Sequence, residues 1–306
     1  MFRQIMAESY VTANAYCRRI FGEKVYKLAL SASTACPNRD GTKGTGGCIF
    51  CSRGGSGDFA APAAMPLDEQ MAYAKKILGD KGNGLKYIAY FQSFTGTYGD
   101  IDALERIYTQ SAEYEGIVGV SIATRPDCLG ERELEMLERL SQKTTLWVEL
   151  GLQTIHKKTV DYIRRGYELD CYDMAVEALH KIPVHVITHV ILGLPEEGRA
   201  DMLETVEYVG KRTDGIKLQL LHVIEGTELA EDYRAGKFEV LGMQEYCDIV
   251  AEAVKILPEN VVIHRLTGDG AKKDLIAPLW SANKKLVLNG INKALAAKGI
   301  KARTWQ

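Results

Sequence analysis

The stretch Thr34–Gly57, TACPNRDGTKGTGGCIFCSRGGSG, decides how the rest of the chain is read. Its cysteines are Cys36, Cys48 and Cys51, spaced Cys-x11-Cys-x2-Cys. Gly41, Gly44, Gly46 and Gly47 fill the wide gap, so the segment reads as a loop that can draw three thiols together. Three thiolates suit zinc or an iron–sulfur cluster. Zinc held by three cysteines wants a fourth ligand, and no histidine lies near the loop in sequence. A cubane cluster held by three cysteines keeps one iron open for an outside ligand. The Cys-x2-Cys half alone would also suit a redox pair or half of a zinc knuckle.

Around the loop, apolar runs alternate with helical patterns. Lys24–Ser31 reads as a strand leading directly into the cysteines. Further strands are expected at Lys86–Phe91, Ile117–Ile122, Leu146–Leu150, Val184–Leu192 and Ile216–Val223. Helical spacing separates them at Leu67–Leu78, Ile101–Tyr114, Glu131–Leu140, His156–Arg164, Tyr172–His180 and Met202–Lys211. Near-continuous apolar strands belong to a parallel sheet covered on both faces. Polar and glycine-rich residues recur where these strands end, as on the active face of a barrel. The expectation is a partial (β/α)6 TIM-like barrel, an α/β fold occupying about residues 24–225. A C-terminal extension, about 242–306, carries two helices and a strand at Val261–Arg265 and is expected to close the open side. No linker marks a second domain, so 1–306 reads as one domain.

The composition limits the alternatives. The 306 residues carry 38 basic and 40 acidic side chains, a formal charge of −2, so no overall basic surplus points to nucleic acid. From Lys272 onward the balance is local: eight Lys or Arg against Asp274. That tail reads as a solvated face or, alternatively, as a docking surface, which leaves nucleic acid open as a partner. No apolar run reaches the roughly 18 residues needed to span a bilayer, and the N-terminus lacks the marks of a signal peptide. A cytoplasmic location is expected, where seven cysteines favour metal or free thiols over disulfides.

A three-cysteine loop after the first strand of a six-unit barrel, with Phe50 just before the last cysteine, resembles the radical S-adenosylmethionine (SAM) superfamily. The superfamily's usual loop is Cys-x3-Cys-x2-Cys. The wider gap here, together with YIAYFQSFT, TRPDC, WVELGLQT, GLPEEG and IAPLW, resembles its YhcC-like branch, near the coproporphyrinogen dehydrogenase and elongator-type proteins. The resemblance implies a [4Fe–4S] cluster on Cys36, Cys48 and Cys51 and reductive cleavage of SAM to a 5′-deoxyadenosyl radical. An electron donor such as flavodoxin or ferredoxin is then required. The chain is also similar to queuine lyases, which implies a small deazaguanine base as substrate and a carbon–nitrogen bond to break. A tRNA- or protein-modifying enzyme and a structural zinc protein are the other readings.

Carried over position by position, the resemblance places Phe50 near the adenine. It places the backbone of Gln92 and Ser93 at the SAM amino group, Gln153 at the ribose and Arg165 at the carboxylate, with a guanidinium fork suited to that anion. Leu194 and His222 fall in strand-end segments near the adenine. Neighbouring families carry Glu where this chain has Ile122-Ala123-Thr124, and Glu149 or Thr124 is expected to substitute. Independently of any family, a carboxylate in the apolar run Trp147–Leu150 needs polar partners. For the substrate, the candidates are Tyr90, His189, His264 and Arg265, with Trp280 as a second stacking surface. The turn His264–Gly270 is expected to close over the site, and Cys128 is a candidate hydrogen-atom donor.

Overall fold

The computed structural model describes residues 9–55, 60–79, 86–268 and 272–303. Ser56 and Gly57 of the cysteine loop, and Asp269 and Gly270 of the expected closing turn, lie outside the described residues. In chain order the elements are β1 (Ser9–Thr12), α1 (Ala13–Phe21), β2 (Val25–Leu30), α2 (Leu67–Leu78), β3 (Lys86–Phe91), α3 (Ile101–Ala112) and β4 (Ile117–Thr124). There follow α4 (Glu131–Ser141), β5 (Thr145–Gln153), α5 (Lys157–Tyr162), α6 (Leu169–Leu179), β6 (His185–Leu192), α7 (Arg199–Gly210) and β7 (Gly215–Leu220). The chain ends with β8 (Val223–Ile224), α8 (Glu228–Arg234), α9 (Met243–Ile256), β9 (Val262–Arg265), β10 (Leu275–Ala277), α10 (Lys284–Ala297) and β11 (Lys301–Ala302). No described helix is long and apolar enough to cross a membrane.

Strands β2 to β7 pair in sequence order and in parallel, each joined to the next through helix. These are the six expected units, and they form the curved wall of a partial barrel. The C-terminal extension meets the open side by adding a strand. β9 pairs in parallel with β7, and β1 pairs in parallel with β9, Val11 opposite Val262 and Thr12 opposite Ile263. Sequence reading leaves β1 and α1 unrecognised, because a four-residue strand has no periodicity of its own and its partner lies some 250 residues away in the chain. Thr12 ends that strand and caps the next helix, its Oγ1 accepting from the Ala15 amide at 3.1 Å.

The two-residue period of the strands sorts the side chains into an outer and an inner set. On β5, Leu146, Val148, Leu150 and Leu152 face outward and pack with helix residues such as Met136, Leu137 and Tyr172 in the main core. Trp147, Glu149, Gly151 and Gln153 alternate with them and face inward. The inner set is layered. At the bottom, Trp147, Ile88 and Ile187 pack against Cys17, Tyr16 and Phe21 of α1, which plugs the barrel. Above them lies a charged layer, and above that an open cavity at the strands' C-terminal ends.

Leu150 is fully buried on the outer face. Leu150→Ala should remove about 2–5 kcal/mol of unfolding free energy. A urea titration reads this as a lower midpoint at unchanged slope; an unmoved midpoint would contradict the packing described.

Candidate active site at the mouth of the barrel

A cavity of about 290 Å³ opens at the C-terminal ends of the strands. Cys36, Cys48 and Cys51 stand at its rim, Phe50 beside them, and Tyr90, Glu149 and His189 lie at its floor. The loop is pinned from several sides. The Ile49 amide donates to the Ile163 carbonyl at 3.2 Å, and the Leu229 amide donates to Ile49 at 3.1 Å. Within the eleven-residue gap, Asn38 Nδ2 donates to the Arg164 carbonyl at 2.6 Å and reaches Cys48 Sγ at 3.5 Å. Arg39 donates to the Ser52 and Cys51 carbonyls at 2.6 and 3.3 Å. Lys43 pairs with Asp127 at 2.7 Å, and Asp127 holds Arg125 through two 2.9 Å bonds. Gly55 sits at φ +59°, where a Cβ would stand 2.6 Å from the Phe94 ring, so glycine is required for the loop's return to β3. The widened gap is thus an ordered brace between the cysteines and the ends of β4 and α5.

A single zinc ion, with Zn–S bonds of about 2.3 Å, would draw tetrahedral thiolates to within about 3.8 Å of one another. Among the described residues the one trio of His, Cys, Asp or Glu ligand atoms mutually within 4.8 Å is His156, Asp201 and Glu204. The loop thiols do not form such a trio; the donor set at the rim is three sulfurs, which suits an iron–sulfur group. Burial, and then the neighbouring Cys51, push the Cys48 thiol up to about 11, so binding of any metal group there releases its proton.

The cavity wall also presents polar atoms that lack protein partners. Gln92 Nε2 and Thr95 Oγ1 are buried on residues that line the cavity and make no hydrogen bond among the described residues. Arg165 is 1% exposed. Its guanidinium donates to the carbonyls of Leu152 (2.8 Å), Thr154 (2.7 Å) and Tyr167 (3.0 and 3.2 Å). No described carboxylate pairs with it. The guanidinium also stacks on the Tyr167 ring at 4.2 Å, and a buried cation with no carboxylate partner among the described residues, at a cavity wall, is suited to receive an anion through its charge and remaining N–H. Gln153, at φ +69°, sits beside it. With the amide set by its hydrogen bonds, its nitrogen donates to the carbonyls of Leu152 (2.8 Å) and Gly151 (3.2 Å). Such a wall of amide, hydroxyl and guanidinium groups fits a zwitterionic cofactor as well as the cysteines fit a cluster.

The floor is the charged layer. Glu149 is fully buried and accepts four hydrogen bonds. Lys27 Nζ (2.6 Å) and Ser121 Oγ (2.7 Å) reach Oε1; His189 Nε2 (2.7 Å) and Lys217 Nζ reach Oε2. Lys217 also donates to the Tyr90 hydroxyl at 3.0 Å. Burial opposes ionisation of Glu149, but the Lys217 and Lys27 charges and the His189 hydrogen bond outweigh it, and the carboxyl is held well below its ordinary range.

The candidates read from the sequence fall into two groups. Tyr90, Gln92, Glu149, Gln153, Arg165, His189, His222, Arg265 and Phe50 all line the cavity with the three cysteines. The placement of His264 corrects its expected role. It lies in the bottom layer against Trp147 (ring centroids 5.3 Å apart) and His185 (Nε2 to Nε2 3.3 Å), because β9 carries it below the charged layer. Leu194 packs in an apolar cluster with Ile49, Ile163 and Leu221. The Ser93 hydroxyl turns away from the cavity toward Ser31 Oγ at 2.9 Å. Trp280 donates to the Leu241 carbonyl at 3.1 Å beside Tyr246. Cys128 is buried off the cavity, with burial pushing its thiol up to about 12. Sequence reading missed Lys27 and Lys217. Each is a lone charge in an apolar strand, VYKLAL and GIKLQL, which is the same signal that singled out Glu149.

The sequence profile described as the radical SAM superfamily matches residues 33–209, and that of the radical SAM C-terminal domain matches 213–297. The chain is 43% identical to the YtqA protein of Bacillus subtilis over 95% of this chain and 90% of that one. It is 35% identical to the YhcC protein of Escherichia coli K12 over 94% of each. Among solved structures it resembles the archaeal Elp3 of Methanocaldococcus infernus. The TM-score is 0.62 at 19% identity, covering 88% of this chain and 63% of that one, a likeness of fold.

The buried histidines make stability depend on pH. Burial lowers His185 and His189 to about 4 and His264 well below its ordinary value. In the unfolded chain they bind protons near pH 6.5, so between pH 6.5 and 4 the unfolded state takes up more protons and stability falls as pH falls. The loss should reach on the order of a few kcal/mol by pH 4. Urea midpoints at pH 7 and pH 5 measure it, and equal midpoints would contradict the burial of neutral imidazoles.

Proposed function

The chain belongs to the radical SAM superfamily, and we propose that it applies that chemistry to a small organic molecule held inside the barrel. Its cofactors are those of the family, a [4Fe–4S] cluster and SAM. The observation that carries the reading is the cavity at the barrel mouth itself. Three thiols stand at one end, an uncompensated buried arginine on the wall, and an ordered polar floor below.

Cys36, Cys48 and Cys51 would hold the cluster, Arg165 the SAM carboxylate, Gln153 the ribose and Phe50 the adenine. The backbone at Gln92–Ser93 would receive the amino group, and the free Gln92 amide nitrogen would serve an acceptor on either ligand. Bound there, the cofactors supply a 5′-deoxyadenosyl radical that removes a hydrogen atom from the substrate. The protein's part is to orient both ligands and keep water and stray hydrogen donors away, and the buried ion network at the floor supports the first of these by fixing the residues beneath them.

Our specific candidate for the substrate is queuine, cleaved at its carbon–nitrogen bond to release a 7-aminomethyl-type deazaguanine. The resemblance to queuine lyases supports it. So does a wall of amides and hydroxyls (Gln92, Thr95, Gln219) that suits the polar edges of a base. The test is anaerobic reconstitution with SAM, a reductant and queuine, followed by mass spectrometry. Coupled formation of 5′-deoxyadenosine and the cleaved base is expected; intact queuine would refute the candidate.

Two variants examine the cofactor site. Cys48→Ala should lose the brown colour, with its absorbance near about 400 nm, and all SAM cleavage; turnover in that variant would refute the cluster assignment. Arg165→Lys keeps the charge but loses the planar fork, and should weaken SAM binding by about tenfold or more. Unchanged affinity by calorimetry would remove Arg165 from the site.

A further inference from the structure

His189 is the one floor residue with a reactive atom left over. Glu149 Oε2 lies 2.7 Å from its Nε2. An ionised carboxylate only accepts, so Nε2 carries the hydrogen, and Nδ1 is left as the lone-pair nitrogen. Glu149 cannot turn away to a different partner, because Lys27, Lys217 and Ser121 occupy its remaining lone pairs. The imidazole is 15% exposed and lines the cavity. Among the described residues its one hydrogen bond is the one to Glu149, so Nδ1 has no protein partner. A carboxylate that fixes the tautomer of a neutral imidazole and leaves the other nitrogen facing a ligand is the arrangement of a general acid–base.

We infer that His189, oriented by Glu149, exchanges a proton with an O–H or N–H group of the substrate. The inference rests on the small-molecule reading above and adds a requirement to it: the substrate carries a hydroxyl or amine next to the carbon that loses its hydrogen atom. The step balances without any added oxidant. The O–H or N–H bond breaks heterolytically, its electron pair stays on oxygen or nitrogen, and the proton goes to Nδ1. The bond from the neighbouring carbon to the departing amine then breaks with its electron pair staying on nitrogen, the unpaired electron passes to that carbon beside the new C=O or C=N, and the imidazolium returns the proton to the departing nitrogen.

The surroundings set the order of events. Glu149 on β5, Lys217 on β7 and Arg265 on β9 act on the ring, and Tyr90 on β3 is bonded to Lys217. Burial and then the Lys217 charge lower its pKa to about 4, against the pull of Glu149. Such an imidazole is a weak base toward an ordinary alcohol or amine. A carbon radical acidifies the O–H or N–H beside it, so His189 acts after the hydrogen atom has left. The short-lived imidazolium is correspondingly a strong acid toward the departing group.

The test uses the reconstituted holoenzyme with queuine as probe and the variant His189→Gln. Its side-chain nitrogen can still donate to Glu149, so the floor keeps its shape. Product formed per 5′-deoxyadenosine should fall by about 100-fold, while an unchanged ratio would overturn the inference. If the wild-type enzyme leaves queuine intact, the substrate candidate fails on its own. Ring ¹⁵N NMR and diethylpyrocarbonate labelling of the wild-type protein then decide the role of His189. A neutral Nε2–H tautomer at pH 7, labelled at His189 but not at His264, supports it. A protonated ring, an Nδ1–H tautomer or an unlabelled His189 overturns it.

Discussion

A fully buried carboxylate sits at the centre of the barrel, and two lysines hold it there. Glu149 on β5 meets Lys27 from β2, at one edge of the six-strand wall, and Lys217 from β7, toward the other. The pair of contacts therefore spans the curved sheet and ties its two sides together inside. Removing one partner from such a buried set costs roughly 3–5 kcal/mol, because the opposite charge is left stranded. The network need not make the barrel more stable than an apolar filling would. What it does is fix distances across the interior, and both the cavity above and the aromatic layer below are built on that level.

The consequence for chemistry is an ordered floor. Ser121, His189 and Tyr90 are each hydrogen-bonded into the network, so none of them is free to reorient when a ligand arrives. The rim is fixed by different means. The eleven-residue gap between Cys36 and Cys48 is folded onto the ends of β4 and α5 through Asn38, Arg39 and Lys43. Rim and floor are thus rigid and face each other across the cavity. Polar atoms without partners, Gln92 Nε2 and Thr95 Oγ1, lie on the wall between them.

Much of this was legible in the sequence where the signal was local. Lys86–Phe91 emerges as a strand at its expected bounds, and Val184–Leu192 differs by one residue, because apolar runs rich in aromatic residues (the first) or β-branched residues (the second) have few alternatives. The three cysteines were likewise visible as spacing, whereas Arg165 was singled out through the family resemblance. What sequence could not give was depth along the barrel axis. His264 and Arg265 are adjacent in β9, yet one falls in the bottom layer and the other lines the cavity. Strict alternation would turn one of them outward; the β9–β7 register shifts at that point, with Ile216 opposite Ile263 and Lys217 opposite Arg265, and both stay inside at different depths. The partners of Glu149 were hidden for a related reason: Lys27 and Lys217 lie 122 and 68 residues from it, and only strand order brings them together.

The central claim is that the three loop thiols hold an iron–sulfur cluster open to SAM. Electron paramagnetic resonance of the anaerobically reconstituted, reduced protein tests it most directly. The account predicts a reduced [4Fe–4S] signal whose g-values move when SAM is added, because an iron without a protein thiolate takes the new ligand. A protein that carries stoichiometric zinc and no iron would contradict it, as would a cluster signal indifferent to SAM.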